Sequence, residues 1–129
     1  KGGRIGLASW TPESFIGQLF KTIGTYLPPA AGLKSPALWG SEAYLAEIFP
    51  GTRIVAAKRI YRFRYKSPAH WLDTFRTYYG PLNKAFAALE SGKQLALEDD
   101  ILALIERHAE SDQRSLVVPS EYLEAVIRK

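Results

Sequence analysis

The chain has 129 residues, the size of one ordinary domain. With 47% hydrophobic and 23% charged residues it is neither disordered nor collagen-like, and the absence of Cys excludes disulfide scaffolds, thiolate metal sites and cysteine nucleophiles. The formal net charge of +4 is unevenly spread: residues 1–89 hold 12 Lys and Arg against 4 Asp and Glu, and residues 90–129 hold 5 against 9. No apolar run approaches the length of about eighteen residues that spans a bilayer, so no membrane span is expected and a cytoplasmic protein is the default. The chain opens at Lys1-Gly2-Gly3 without Met and runs straight into an apolar segment, so a piece of a longer protein is expected.

In chain order, Lys1-Gly2-Gly3 supplies a turn and residues 4–10 read as a buried, central strand. Thr11 is placed to cap a helix with Pro12 at its first position, and Phe15, Ile16, Leu19, Phe20 and Ile23 lay an apolar stripe along it as far as Tyr26. Residues 28–40, with Pro28, Pro29, Gly32, Pro36 and Gly40 among Leu33, Leu38 and Trp39, read as an ordered apolar loop. Ser41 caps a helix over 42–49, which Pro50-Gly51 stops.

Residues 53–65 favour strand, either one ribbon with a bend or two short ones, with Tyr61, Phe63 and Tyr65 alternating with Ile60, Arg62 and Arg64. Ser67-Pro68 opens another helix, carrying Trp71, Leu72, Phe75, Tyr78 and Tyr79 up to Gly80. Pro81 restarts a helix that Gly92 closes. A further helix over 97–108 places Glu98, Asp99 and Asp100 toward its positive end. The tail, 116–127, fits strand or short helix equally by periodicity.

Few residues carry recognisable chemistry. There is no glycine-rich phosphate loop, and His70 and His108 stand too far apart for a zinc pair. His70, in the first turn of its helix, is the candidate base toward a hydroxyl, against the plainer reading of a structural histidine. The cations Lys58, Arg59, Arg62, Arg64 and Lys66 read as a solvated sheet face; with no accompanying motif, no nucleic acid is expected, although a basic adaptor is the third reading. Aromatic and apolar residues crowd the connecting segments, which suggests a wall or lid over an apolar or aromatic ligand, while each of them alone reads equally as core.

The opening Lys1-Gly2-Gly3-Arg4-Ile5-Gly6-Leu7-Ala8-Ser9-Trp10-Thr11-Pro12 resembles the PGG turn and fifth strand of S-adenosylmethionine-dependent methyltransferases of Rossmann-like fold, with Lys1 where that family usually has Pro. Arg62-Phe63-Arg64-Tyr65-Lys66-Ser67-Pro68, Trp71, Phe75-Arg76-Thr77-Tyr78-Tyr79-Gly80-Pro81 and Val118-Pro119-Ser120-Glu121-Tyr122-Leu123 are similar to its small-molecule branch, which includes ubiquinone and menaquinone biosynthesis enzymes. The resemblance implies an α/β fold comprising strands five to seven of a seven-stranded sheet: residues 4–9, 58–65 and 116–127, lying side by side with the seventh hairpinned to the sixth. Residues 12–49 would be a helical insertion covering the substrate, and 68–108 helical.

It implies further that the glycine-rich turn and the acidic residue that grip S-adenosylmethionine precede Lys1, so that the parent protein binds the cofactor and this chain alone does not. The acceptor, a small organic molecule, would be walled by Trp10, Phe15, Trp39, Trp71, Phe75 and Tyr78, with His70 as base or orienter. A strand edge stripped of its neighbours invites pairing between copies, so a homo-oligomer through residues 4–9 is expected. The alternative from another class is a non-enzymatic module that binds an apolar or aromatic small molecule.

Overall fold

The computed structural model describes residues 2–110 and 115–129; Lys1, assigned by sequence to the opening turn, lies outside them. Among the described residues are three strands, β1 (Arg4–Trp10), β2 (Arg53–Tyr65) and β3 (Leu116–Arg128), and five α-helices. The helices are α1 (Phe15–Tyr26), α2 (Glu42–Ile48), α3 (Pro68–Tyr78), α4 (Gly80–Ala88) and α5 (Ser91–His108), with a 3-10 turn at Pro36–Gly40. None of these helices is long and apolar enough to cross a membrane.

The three strands form one sheet in the order β1-β3-β2. β3 is antiparallel to both neighbours, from Arg4 opposite Arg128 to Trp10 opposite Tyr122 on one side, and from Arg53 opposite Arg128 to Tyr65 opposite Leu116 on the other. β1 and β2 therefore run parallel to each other, joined by the crossover that carries α1 and α2. The tail that periodicity leaves open is a strand, and β2 is one unbroken ribbon that begins at Arg53, five residues before the expected 58.

β1 departs from expectation. Residues 4–10 read as central and buried, yet in this sheet β3 is central and β1 is an edge strand with its first three residues exposed. Apolar content signals that a strand is meant to be covered, and cannot say whether the covering elements lie in the same chain.

Two local boundaries also differ, for physical reasons. The Thr11 N–H donates to the Glu121 carbonyl at 3.1 Å, which prolongs the strand ladder, so Thr11 does not cap α1. Ser14 does, its hydroxyl accepting from the Gly17 N–H at 3.2 Å. α5 starts at Ser91, six residues before the expected start, so Gly92 lies inside it and Glu98, Asp99 and Asp100 fall mid-helix. Gln94 secures that early turn: its amide donates to the Phe86 and Leu89 carbonyls, both at 2.8 Å, and its oxygen accepts from Arg76 at 3.2 Å. Such a polar tie leaves no trace in hydrophobic periodicity.

The main core lies between α1, α3, α4, α5 and the Leu116–Val118 end of the sheet. Its centre is aromatic, with Trp71 stacked on Phe75 at 3.8 Å between ring centroids and met edge-on by Phe15 at 5.3 Å. A smaller cluster joins Leu45 of α2 to Leu123 and Ala125 on the opposite face. Between them these layers leave half of one face bare, where Gly6, Ala8, Val55, Ala57 and Val126 are exposed.

Trp71 is fully buried whereas Tyr78 is 83% exposed, so truncating them should have unequal effects. Trp71→Ala is expected to cost about 3–5 kcal/mol and Tyr78→Ala less than about 0.5 kcal/mol, read from urea midpoints.

Candidate functional site

The site grows from the turn that ends β1. Trp10-Thr11-Pro12 leaves the sheet and is fastened at once: the Ser14 N–H and hydroxyl both reach the Thr11 carbonyl, at 3.2 and 2.8 Å. The buried Ser120 hydroxyl on β3 accepts from the Ile16 N–H at 3.2 Å. The N-terminus of α1 is thereby pinned to the central strand. Two glycines allow the close approach, since a Cβ at Gly17 would overlap the backbone of Thr11 and Pro12, and one at Gly40 the backbone of Trp10 and Thr11.

With α1 and the 3-10 turn held against the same strand end, the segment 28–37 arches over α1 and encloses a groove of about 400 Å³. Phe20, Ile23, Leu27, Pro29, Pro36 and Ala37 make it apolar, Gly17 and Gly24 thin its floor, and Lys21 and Lys34 are the charged residues on its lining. Lys34 also lies 3.4 Å from Glu47 and over the Tyr44 ring, 4.9 Å from its centroid. The groove adjoins the carboxyl end of β1 at Pro12.

The residues singled out by sequence do not form one wall. Phe15, Trp71 and Phe75 are buried core. Phe63 joins them to Trp10, at 5.6 Å from Trp10, 6.3 Å from Phe15 and 5.6 Å from Phe75. Trp10 faces the other way as well, meeting Tyr61 and Tyr122 edge-on around a hollow of about 230 Å³ that includes Ala8 on the bare sheet face. Trp39 stands apart against Tyr44 and Phe49, and Tyr78 projects into solvent.

His70 is exposed; its Nδ1 accepts from the Lys66 N–H at 3.2 Å and its own N–H donates to Ser67, so it fastens the turn into α3. The other histidine, His108, is the more enclosed, with Nδ1 3.0 Å from the Leu104 carbonyl and Nε2 3.1 Å from Gln18 Nε2. Those contacts are both met when Nδ1 donates to the carbonyl and Nε2 accepts from the amide.

Sequence reasoning placed Phe20 among the aromatic residues that suggest a pocket wall, but took Ile23 only as part of a helix stripe and did not single out Leu27. The available signal was the pair Gly17 and Gly24, two turns apart on one helix beside a proline-rich arch. Among the described residues no group of three or more potential metal ligands converges. Of the basic stretch on β2, Lys58 pairs with Glu121 at 2.9 Å, Arg59 with Glu124 at 3.2 Å and Arg62 with Glu110 at 3.1 Å, so much of its charge is matched within the fold.

No protein-family model matches the chain. An uncharacterized protein of Mycobacterium tuberculosis (strain H37Rv) is 37% identical over 106 residues, which cover 77% of this chain and 38% of that protein. A second uncharacterized protein of the same strain is 33% identical over 93 residues, 69% of this chain and 34% of the relative. The chain thus spans little more than a third of the length of the curated relatives it matches.

Two outcomes test how the site is held. Gly17→Ala should destabilise by about 1–3 kcal/mol, because backbone must shift, whereas Gly24→Ala, whose Cβ meets only open space, should stabilise by up to about 1 kcal/mol; thermal or urea midpoints decide.

The second concerns the tie between α1 and α5. The Tyr26 hydroxyl donates to Asp100 at 2.6 Å, and this bond, with some desolvation and the charges of Asp100 and Asp99, raises its pKa above the ordinary value. A raised folded pKa means that the protonated hydroxyl's contribution is complete below about pH 10 and fades as pH climbs through the raised value. The stability difference between wild type and Tyr26→Phe should therefore be constant from about pH 7 to 9 and shrink above about pH 10.

Proposed function

We propose that the chain is the acceptor-side portion of a larger S-adenosylmethionine-dependent methyltransferase acting on a small organic molecule. The observation that carries this reading is the sheet. The three ribbons expected to be strands five, six and seven lie side by side, with the last paired along its full length to the one before it. β1 leaves a free edge and a bare half-face where further strands and a covering helix would continue. That the matched relatives are more than twice as long as the segment they share with this chain accords with it.

The residues present do not fit the cofactor. Among the described residues two turns lead from strand to helix, Thr11-Pro12-Glu13-Ser14 and Lys66-Ser67, and neither holds a glycine. The first is already occupied in fastening α1 to β3. No cofactor contact is assigned to this chain, and its part is confined to the acceptor. Direct methyl displacement needs an aligned acceptor and exclusion of water more than an acid and a base. The arch 28–37 over α1 supplies an apolar enclosure of that kind, and His70, tied to its own turn, is not among the residues that line it.

A second reading, a binding module without catalysis, is favoured by one fact: the groove is built wholly within this chain. Calorimetric titration with S-adenosylmethionine of the parent-length protein and of this chain separates the two, with binding to the first alone expected. Absence of binding to the parent-length protein would end the methyltransferase reading. Light scattering of the isolated chain at micromolar concentration should show a dimer or larger species formed through the β1 edge, and a strict monomer would refute that association.

A further inference from the structure

We infer that the groove between α1 and the 28–37 arch binds an apolar molecule that ends in a carboxylate. Its lining gives it one chemistry at the walls and another at the rim. Phe20, Ile23, Leu27 and the proline rings offer no hydrogen-bonding side chain, and the Ser35 hydroxyl on the lining already accepts from the Ala37 N–H, so the body of the ligand is hydrocarbon. The charged residues on the lining are Lys21 and Lys34, both cationic, with no carboxylate among the lining residues. Glu47 lies beside Lys34 at 3.4 Å, but both side chains are more than half exposed, and so open a pair exchanges partners at little cost. Lys21 also borders a neighbouring polar groove with Glu13, Asp100 and Arg107, so its ammonium can turn to either side.

Gly24 is an independent sign that the space is kept open. It lies within α1, has no positive φ, and a Cβ there would meet nothing within 4 Å. Neither backbone conformation nor close packing requires glycine at this position, although glycine is among the poorest helix formers. What its missing side chain leaves is the floor of the groove. In the methyltransferase reading this ligand would be the acceptor. The inference needs only the groove, and its test omits the methyl donor, so either can fail alone.

The probes are decanoate and 1-decanol, titrated calorimetrically into this chain. Decanoate should bind the more tightly. Gly24→Leu should weaken both probes by about tenfold or more, equivalent to about 1.4 kcal/mol, without lowering the melting temperature. The double variant Lys21→Gln, Lys34→Gln, confined to surface side chains, should bring decanoate to the level of decanol and leave decanol unchanged. Failure of both probes to bind, equal affinity of the two for wild type, or undiminished binding by Gly24→Leu would each overturn the inference.

Discussion

Everything in this structure hangs on β3. It is the strand whose two edges are both used, pairing along thirteen residues with β2 and seven with β1, and it joins two ribbons that have no contact with each other in the ladder. It also reaches outside the sheet: the Ser120 hydroxyl holds the first turn of α1, and the Glu121 carbonyl holds Thr11. The segment that orders the candidate site is thus the last in the chain, about a hundred residues after the helix it anchors. Long-range pairing of this kind gives no reward until the intervening loop has closed, so β1 and α1 acquire their final arrangement only when β3 is in place.

The consequence for the site is a division of labour between two aromatic and apolar groups. The rings of Phe15, Trp71, Phe75 and Phe63 fill the core that supports α1 and α3 from beneath. Phe20 and Ile23 of α1, and Leu27 just beyond its end, line the groove while also packing at the margin of that core. One helix thus carries a buried face that fixes its position and, at the margin of that face, partly buried apolar residues that also border the groove. Phe20 bridges the two, lying 6.4 Å from Tyr79 while lining the groove.

Features specified by neighbouring residues were legible in the sequence. Ser41 and Ser67 cap their helices as expected, because a hydroxyl reaching an amide three residues on is a local event. The loop at 28–40 was recognisable as an ordered apolar connection from its prolines, although its residues 28–36 are exposed and it carries Lys34. What distance decides was not legible. Thr11 reads as a cap until Glu121 claims its N–H, and α5 reads as starting at Leu97 until Gln94 ties its first turn to α4. The aromatic residues posed the same difficulty, because core rings and site rings have one composition and only tertiary placement separates Trp71 from Phe20.

The bare part of the sheet follows a pattern that bears on what the chain belongs to. One face is covered near Leu123 and Ala125 by α2, and the other near Val118 by α1, α3 and α5. The uncovered half-face, with Val55 and Val126, lies on the side opposite α2 and reaches the free edge of β1 at Gly6 and Ala8. Gly6, Ala8 and Ala57 would let a helix approach closely, while Glu124 between Ala8 and Ala57, paired with Arg59, keeps charge on the same face. An edge strand meant to stay at the edge is usually shortened, charged or bulged to discourage pairing, whereas Ile5, Gly6, Leu7 and Ala8 form a regular, uncharged ladder. The free edge and the bare half-face adjoin at Gly6 and Ala8, so any element that continued the sheet past β1 would also be placed to cover the face beside it.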